Sequence, residues 1–273
     1  EERMKVYIMT DMEGVAGVTD SENHSGPGAR YYEVARQLTT GETNAAIEGA
    51  LEAGATDILV VDGHGHGAID PLLLHPAAKL MNGRPMGYPF GCDKSFDVAL
   101  IVGQHAKSNT DGGHLSHTGS FVVDELTING VSMGELGENM LFCAYFGVPT
   151  VMVSGDRACC DEARALVPQV EIAAVKEGLR HGPAKGLTAN QNRLHNGSAI
   201  HLHPERARSL IREAARRGLQ RRAEIPRFWL EPPYEYVQAL RRTDDAPAKI
   251  ARCRAQDLIE LLTAPKKYEP VES

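Results

Sequence analysis

Short runs of apolar residues alternate with polar, glycine-rich segments along the first two thirds of the chain. Three of these runs, at residues 6–8, 58–61 and 98–102, are rich in β-branched residues and lead into polar residues and glycine. A continuous apolar run of this kind predicts a strand that is buried on both faces. Between the first two runs, residues 31–53 have the apolar spacing of an amphipathic helix, with Gly54 as its C-cap. This order predicts an α/β fold with a mainly parallel sheet flanked by helices.

Turn and cap residues mark the elements that follow the third strand. Asn129-Gly130 is typical of a β-hairpin turn. Ser132 is followed three residues later by Glu135, which predicts a capping box at the start of a helix. After that helix we expect a fourth strand, a third helix and a fifth strand, at residues 150–153, 158–167 and 170–175.

The pattern changes beyond about residue 190. A basic amphipathic helix begins at Pro204, and a strand containing Pro232-Pro233 is predicted at 227–236, before a last helix at 252–262. We therefore expect residues 1–190 to form the main α/β domain. Residues 191–273 should form a smaller C-terminal α+β lobe, which could take part in oligomerisation.

The composition narrows the class of protein. The chain has 273 residues with a net charge of −7 and 42% hydrophobic residues, which suits a globular protein and gives no field that attracts nucleic acid or an anionic membrane. Five cysteines, an odd number with two of them adjacent, do not resemble a disulfide framework. We found no apolar run long enough for a membrane span and no signal-peptide pattern at the start, so the expected location is the cytoplasm.

Residues that could bind a metal ion follow the ends of the three apolar runs. Asp11 and Glu13 follow the first run, His64 follows the second, and His105 follows the third. In a parallel sheet these strand ends open onto one crevice, where ligands bind. Carboxylate and imidazole together are ligands that suit zinc, manganese or iron. With Glu135 the set is larger than a single tetrahedral ion needs, so it favours two metal ions bridged by Asp11, the shortest and deepest carboxylate.

Several of these residues have other interpretations. Asp62 and His66 flank His64 in a glycine-rich loop and could equally be ligands. His105 could cap a loop, and Glu135 could serve only its capping box. Beyond the expected ligands, His114 and His117 lie on a flexible loop that could fold over the site, where either could act as a general acid or base.

Several separated motifs, in order over residues 4–185, resemble one known family. They are TDMEG at 10–14, VDGHG at 61–65, VGQHA at 102–106, Ser116-His117, GELGEN at 134–139 and GVPTVMVSGD at 147–156. The sequence resembles the D-aminopeptidase family of binuclear zinc peptidases. This resemblance implies two zinc ions per subunit, with Asp11 bridging, Glu13 and His64 on one ion, and His105 and Glu135 on the other. It also implies a catalytic role for His117, and an assembly of pentameric rings stacked into a decamer.

The residues and the resemblance together predict a metal-dependent aminopeptidase, with residues 1–190 as its metal-binding catalytic domain. It would use a metal-activated water to hydrolyse N-terminal residues, D-amino acids among them, from short peptides or amino-acid amides. The ligand types leave Mn²⁺, Co²⁺ and Fe²⁺ open besides zinc. The alternatives are a related metal-dependent amidohydrolase or phosphatase, and a metabolite-binding module without catalysis. No nucleic-acid or membrane partner is expected.

Overall fold

The computed structural model describes residues 3–182 and 184–271, which form two sheets with helices packed against them. The larger sheet has seven strands in the order β3-β2-β1-β4-β7-β8-β9, all parallel except β9. Its strands are β1 (Lys5–Thr10), β2 (Asp57–Asp62), β3 (Ala78–Met81), β4 (Val98–Gln104), β7 (Thr150–Asp156), β8 (Glu171–Gly178) and β9 (Ala199–His201). The smaller, antiparallel sheet has the order β12-β11-β10-β5-β6. Its strands are β5 (Val123–Ile128), β6 (Val131–Ser132), β10 (Tyr234–Leu240), β11 (Lys249–Ala255) and β12 (Tyr268–Pro270).

Seven α-helices accompany the strands in the described part of the chain. They are α1 (Ser21–His24), α2 (Tyr32–Glu52), α3 (Glu135–Tyr145), α4 (Arg157–Leu166), α5 (Ala189–His195), α6 (Pro204–Gln220) and α7 (Leu258–Thr263). In the large sheet, β2 lies on one side of β1, while β4 and then β7 lie on the other side. Right-handed crossovers therefore put α2 on one face and α3 and α4 on the opposite face. The predicted α/β class is confirmed.

The three predicted strands are neighbours at the centre of the large sheet. Met9 lies beside Val61 on β2 and beside Ile101 on β4, so the three strands end almost level. The backbones of Asp11 and Gly103 approach each other closely at this edge. A Cβ on Gly103 would lie only 2.3 Å from the carbonyl oxygen of Asp11. Gly103 also has a φ of 73°, which glycine adopts without strain. The polar residues after the three strands are thus brought to one edge.

The smaller sheet combines strands from both sides of residue 190. The hairpin β5–β6, with Asn129 and Gly130 in its turn as expected, pairs with β10 from the C-terminal part. In the other direction, β9 and α6 belong to the large sheet and its helical layer. The two sheets therefore interleave along the chain, and a division into domains at residue 190 stays a prediction.

The structure differs from two predictions of local structure, one of a helix cap and one of a helix. Ser132 lies in β6 and its hydroxyl donates to Glu125, while α3 begins after Gly134 without a side-chain cap, so the predicted capping box is wrong. The predicted helix at 252–262 is strand β11 followed by the shorter α7, because the side chain of Asp257 accepts from the amide of Glu260 and starts the helix there. The elements α1 and β3 lie in segments for which the sequence predicted neither a helix nor a strand.

Within the described residues, no helix combines the length and the apolar character that crossing a bilayer requires.

Candidate metal centre

Asp11 lies at the centre of the polar edge, directly after β1. Its Oδ1 accepts the amide of Met12 at 2.8 Å, and its Oδ2 accepts the side-chain amide of Gln104 at 2.8 Å. The side chain is 8% exposed. Two fixed donors thus orient this buried carboxylate, and each oxygen keeps a lone pair for another partner.

Each oxygen of Asp11 faces a different histidine. His64 Nδ1 is 3.2 Å from Asp11 Oδ1 and 3.0 Å from Glu13 Oε2. On the other side, His105 Nε2 is 3.2 Å from Asp11 Oδ2 and 3.3 Å from Glu135 Oε1. The five predicted ligands therefore converge as two histidine–glutamate pairs with one aspartate between them.

Backbone carbonyls fix the orientation of both histidines. His64 Nε2 donates to the carbonyl of Ser25 at 2.8 Å, and His105 Nδ1 donates to the carbonyl of Ala106 at 2.9 Å. The remaining ring nitrogen of each histidine points at the carboxylates, and the buried His105 Nε2 makes no hydrogen bond of its own. Metal-binding histidines show this pattern, since a hydrogen bond at one nitrogen orients the other towards the ion.

The charges of the two histidine–glutamate pairs shift the pKa values of the groups in the site. Burial lowers the pKa of His64, but the charge of Glu13 and the hydrogen bond to Asp11 outweigh it and raise this pKa to about 12. Burial raises the pKa of Asp11, yet the neighbouring imidazoles of His105 and His64 hold it well below its usual range. Protons on the histidines thus balance the carboxylates, and a metal ion would have to displace them.

Glu135 is the most accessible of the five residues. It is the first residue of α3, its Oε1 accepts the amide of Gly119 at 2.7 Å, and its side chain is 31% exposed. The structural role in a capping box, one of the interpretations of the sequence, is excluded because Ser132 bonds elsewhere. Its carboxylate faces the cleft.

His117 lies beside this pair, and its ring stacks on that of His105 with centroids 3.9 Å apart. Phe121 packs on it at 4.7 Å. His117 Nδ1 donates to the carbonyl of Leu115, and Nε2 is 3.7 Å from Glu135 Oε1. Burial and the charge of His105 lower the pKa of His117, which favours a neutral ring.

The other histidine of this loop points away from the centre. His114 is fully buried, and its Nε2 donates to the carbonyl of Thr19 at 3.1 Å. Its ring packs edge-on against His201 at 5.5 Å. Of the two histidines considered for acid–base chemistry, only His117 lines the cleft.

The two alternative ligands in the glycine-rich loop lie apart from the pairs. The carboxylate of Asp62 accepts the amides of Ala68 and Ile69 at 2.8–3.0 Å and so anchors its own loop. His66 is exposed and lines the cleft, while His64 is the histidine that faces Asp11.

An open cleft of about 610 Å³ leads to these side chains. Residues 21–29 form one wall, and residues 119–121 lie along the other. A smaller cavity of about 90 Å³ shares Asp11 and Glu135 with it and is lined by Tyr88, Phe90 and Asn139. Pockets of the larger size hold small molecules in many proteins.

The residues fit a metal centre. Two overlapping sets bring ligand atoms within 4.8 Å of one another, Asp11 with Glu13 and His105, and His105 with His117 and Glu135. All donors are imidazole nitrogens or carboxylate oxygens, which suit zinc and similar ions. The roles of the individual residues as ligands stay a prediction.

Sequence reasoning missed the groups that orient these side chains. Gln104 precedes His105 within a motif that drew attention only to the histidine, and Phe121 lay outside every motif. The carbonyl of Ser25 belongs to a loop 39 residues from His64 in sequence. Only the position of Gln104 at a strand end could have indicated its part.

Fold and site together define an α/β protein with a candidate metal centre at the carboxyl edge of its parallel sheet. The model of the D-aminopeptidase family matches residues 4–253. The chain belongs to this family, which confirms the resemblance and the prediction of a metal-dependent aminopeptidase over the alternatives.

A known sequence and a solved structure show the same relationship. A D-aminopeptidase of Bacillus subtilis (strain 168) is 38% identical over 190 residues, which are 68% of each chain. The solved structure of the Zn-dependent D-aminopeptidase DppA from Bacillus subtilis, described as a self-compartmentalizing protease, is 27% identical and has a TM-score of 0.81. The match covers 94% of this chain and 93% of that one.

Proposed function

We propose that this protein is a two-zinc aminopeptidase in which Asp11 bridges the ions. Glu13 and His64 would complete one site, and His105 and Glu135 the other. The observation that carries this proposal is that the two oxygens of Asp11 face separate histidine–glutamate pairs, at 3.2 Å from each histidine. A site for one ion would not need a histidine and a glutamate on both sides of the aspartate.

Zinc is proposed as the metal because DppA is Zn-dependent, and the structural match to DppA covers 94% of this chain. The donor set supports zinc without excluding Mn²⁺, Co²⁺ or Fe²⁺. When bound, such a pair of ions would polarise the scissile carbonyl and lower the pKa of a water molecule towards about 7.

His117 is proposed as the residue that moves protons. Its Nδ1 proton is committed to the carbonyl of Leu115, which leaves the lone pair on Nε2 facing the cleft. Nε2 can therefore accept a proton from the attacking water and pass it to the leaving amine. The ring of His105 on one side and Phe121 on the other hold His117 in place for this transfer.

The substrate is proposed to be a short peptide or an amino-acid amide with a free N-terminus, in which a D-residue is released. The family and the Bacillus subtilis relatives are D-aminopeptidases, and the 610 Å³ cleft suits a ligand of this size.

Assembly into a homo-oligomer, with pentameric rings stacked as a decamer, is part of the same proposal. It is supported by the similarity to DppA, a self-compartmentalizing protease. Residues 191–273 are proposed to contribute to the contacts between subunits. A cytoplasmic location is proposed from the odd number of cysteines and the adjacent pair Cys159-Cys160. Light scattering would support the decamer with a mass ten times that of one chain, and a monomer would contradict it.

Metal content and turnover, measured together, test the proposed activity. We expect two zinc ions per chain in the wild-type protein and hydrolysis of D-aminoacyl amides in preference to their L-isomers. Asp11→Asn should lose both ions and the activity, whereas Asp161→Asn, an exposed control on α4, should keep both. An Asp11→Asn protein with two ions and full turnover would overturn the mechanism.

A further inference from the structure

The segment from Glu13 to Thr19 joins the metal centre to the wall of the cleft. It leaves β1 after Asp11 and leads into residues 21–29, which line the cleft. Its backbone lies in neither sheet, yet several of its polar groups are bonded by side chains that reach it from distant elements. Those side chains come from α2, β8, β9 and the loop that carries His117.

Lys176 of β8 is the central one of these side chains. It is 3% exposed, and its Nζ donates to the carbonyl of Glu13 and, at 3.1 Å, to the carbonyl of Val18. A buried ammonium group is costly unless its hydrogen bonds are satisfied. Lys176 meets this need with two carbonyls of one segment and so draws them together.

Three further side chains bond the same segment. His201 of β9 accepts the amide of Gly17 at Nδ1 over 3.1 Å, and Glu42 of α2 accepts the amide of Ala16 at 2.9 Å. His114 donates to the carbonyl of Thr19 at 3.1 Å. These bonds explain why His114 is buried away from the cleft.

The held segment governs two of the proposed ligands on one side of Asp11. The carboxylate of Glu13 is set directly by the backbone that Lys176 fixes. The ring of His64 is set through its bond to the carbonyl of Ser25, in the wall that this segment leads into. On the other side, His105 directly follows β4 and Glu135 is the first residue of α3, so their backbones are placed by the sheet and by that helix.

We propose that Lys176, with His201 and His114, is a positioning residue for the zinc site of Glu13 and His64. It touches neither substrate nor ion, and acts by holding the backbone from which Glu13 projects. The inference rests on the proposed two-zinc function. It predicts that loss of these hydrogen bonds weakens the binding of one zinc ion and leaves the binding of the other unchanged.

Zinc titration against a chromophoric chelator tests this. Lys176→Met should bind one of its two zinc ions about 10–100-fold more weakly than the wild type and the other with unchanged affinity, as expected for lost support of a ligand. Lys79→Met, with a side chain that is 69% exposed on β3, is the matched control and should match the wild type. A purely structural role would lower the unfolding temperature and leave both affinities unchanged, which would overturn the inference.

His201→Phe provides a second variant, because His201 is only partly buried and its loss leaves the fold less affected. It removes the acceptor for Gly17 and should weaken the same ion about tenfold. If Lys176→Met does not fold, His201→Phe tests the inference in its place. Unchanged zinc affinities in His201→Phe would then refute the proposed positioning role. A wild-type protein that binds no zinc would instead refute the proposed function itself, so the two failures are distinguishable.

Discussion

The two sides of the candidate metal centre are built differently. Glu13 and His64 are 5% and 7% exposed, and they depend on a segment held by side chains from three other elements. Glu135 has a side chain that is 31% exposed, and one backbone amide, that of Gly119, holds it. We call the first the closed side and the second the open side. His117 lies on the open side, beside Glu135, so the open side is the one proposed for proton transfer.

The sharpest way to test this contrast is to remove one glutamate from each side. Glu13→Gln and Glu135→Gln should each lose one zinc ion, and turnover should fall by roughly 10³-fold or more, since a metal ion supplies several kcal/mol of transition-state stabilisation. Excess zinc should restore more activity to Glu135→Gln than to Glu13→Gln, because water can take the place of the missing carboxylate at the more exposed position. Equal recovery of the two variants, measured as kcat against zinc concentration, would remove the distinction between the sides.

A second test separates the proposed base from the ligands of the open side. His117→Gln should keep both zinc ions and lose about 10²–10⁴-fold in kcat, the usual contribution of general acid–base catalysis. His181→Gln, whose side chain is 73% exposed, serves as the control with unchanged turnover. Loss of a zinc ion from His117→Gln would show that His117 is a ligand, as its proximity to His105 and Glu135 would also allow.

The smallest effect is expected at Glu42, which supports the closed side. Burial raises the pKa of Glu42 to about 8, so the folded protein holds a proton that the unfolded chain releases above about 4.5. The free energy of unfolding should therefore fall as pH rises from about 4.5 to about 8. Glu42→Gln removes this titration while keeping an oxygen for the amide of Ala16.

Urea unfolding of the zinc-free protein at pH 5 and pH 8.5 measures that effect. The variant should lose less stability between the two pH values than the wild type, by a difference on the order of 4 kcal/mol. Identical pH dependence in the two proteins would mean that Glu42 is not buried in its protonated form.

The same contrast explains how much of the molecule could be predicted. The central strands were predicted because each is a continuous apolar run, and their polar ends then fell at one edge by the geometry of parallel sheets. Asp11, Glu13, His64 and His105 lie close to those ends in sequence. Their convergence therefore followed from local patterns and one topological rule.

The supports of the site could not be predicted in this way. Lys176 reaches Glu13 across 163 residues of sequence, and no local pattern records such a contact. Residues 252–255 were assigned to a helix because apolar positions further along have helical spacing, whereas pairing with β10 makes them part of β11. Tertiary contacts decided both cases, as they commonly do when local preference is weak.

Anomalous diffraction at the zinc edge, from crystals grown with zinc, would locate the bound ions. We expect two peaks on either side of the Asp11 carboxylate, about 3.5–4 Å apart as in other two-metal sites, one beside Glu13 and His64 and one beside His105 and Glu135. A single peak, or two peaks that do not share Asp11, would contradict the proposed two-zinc site.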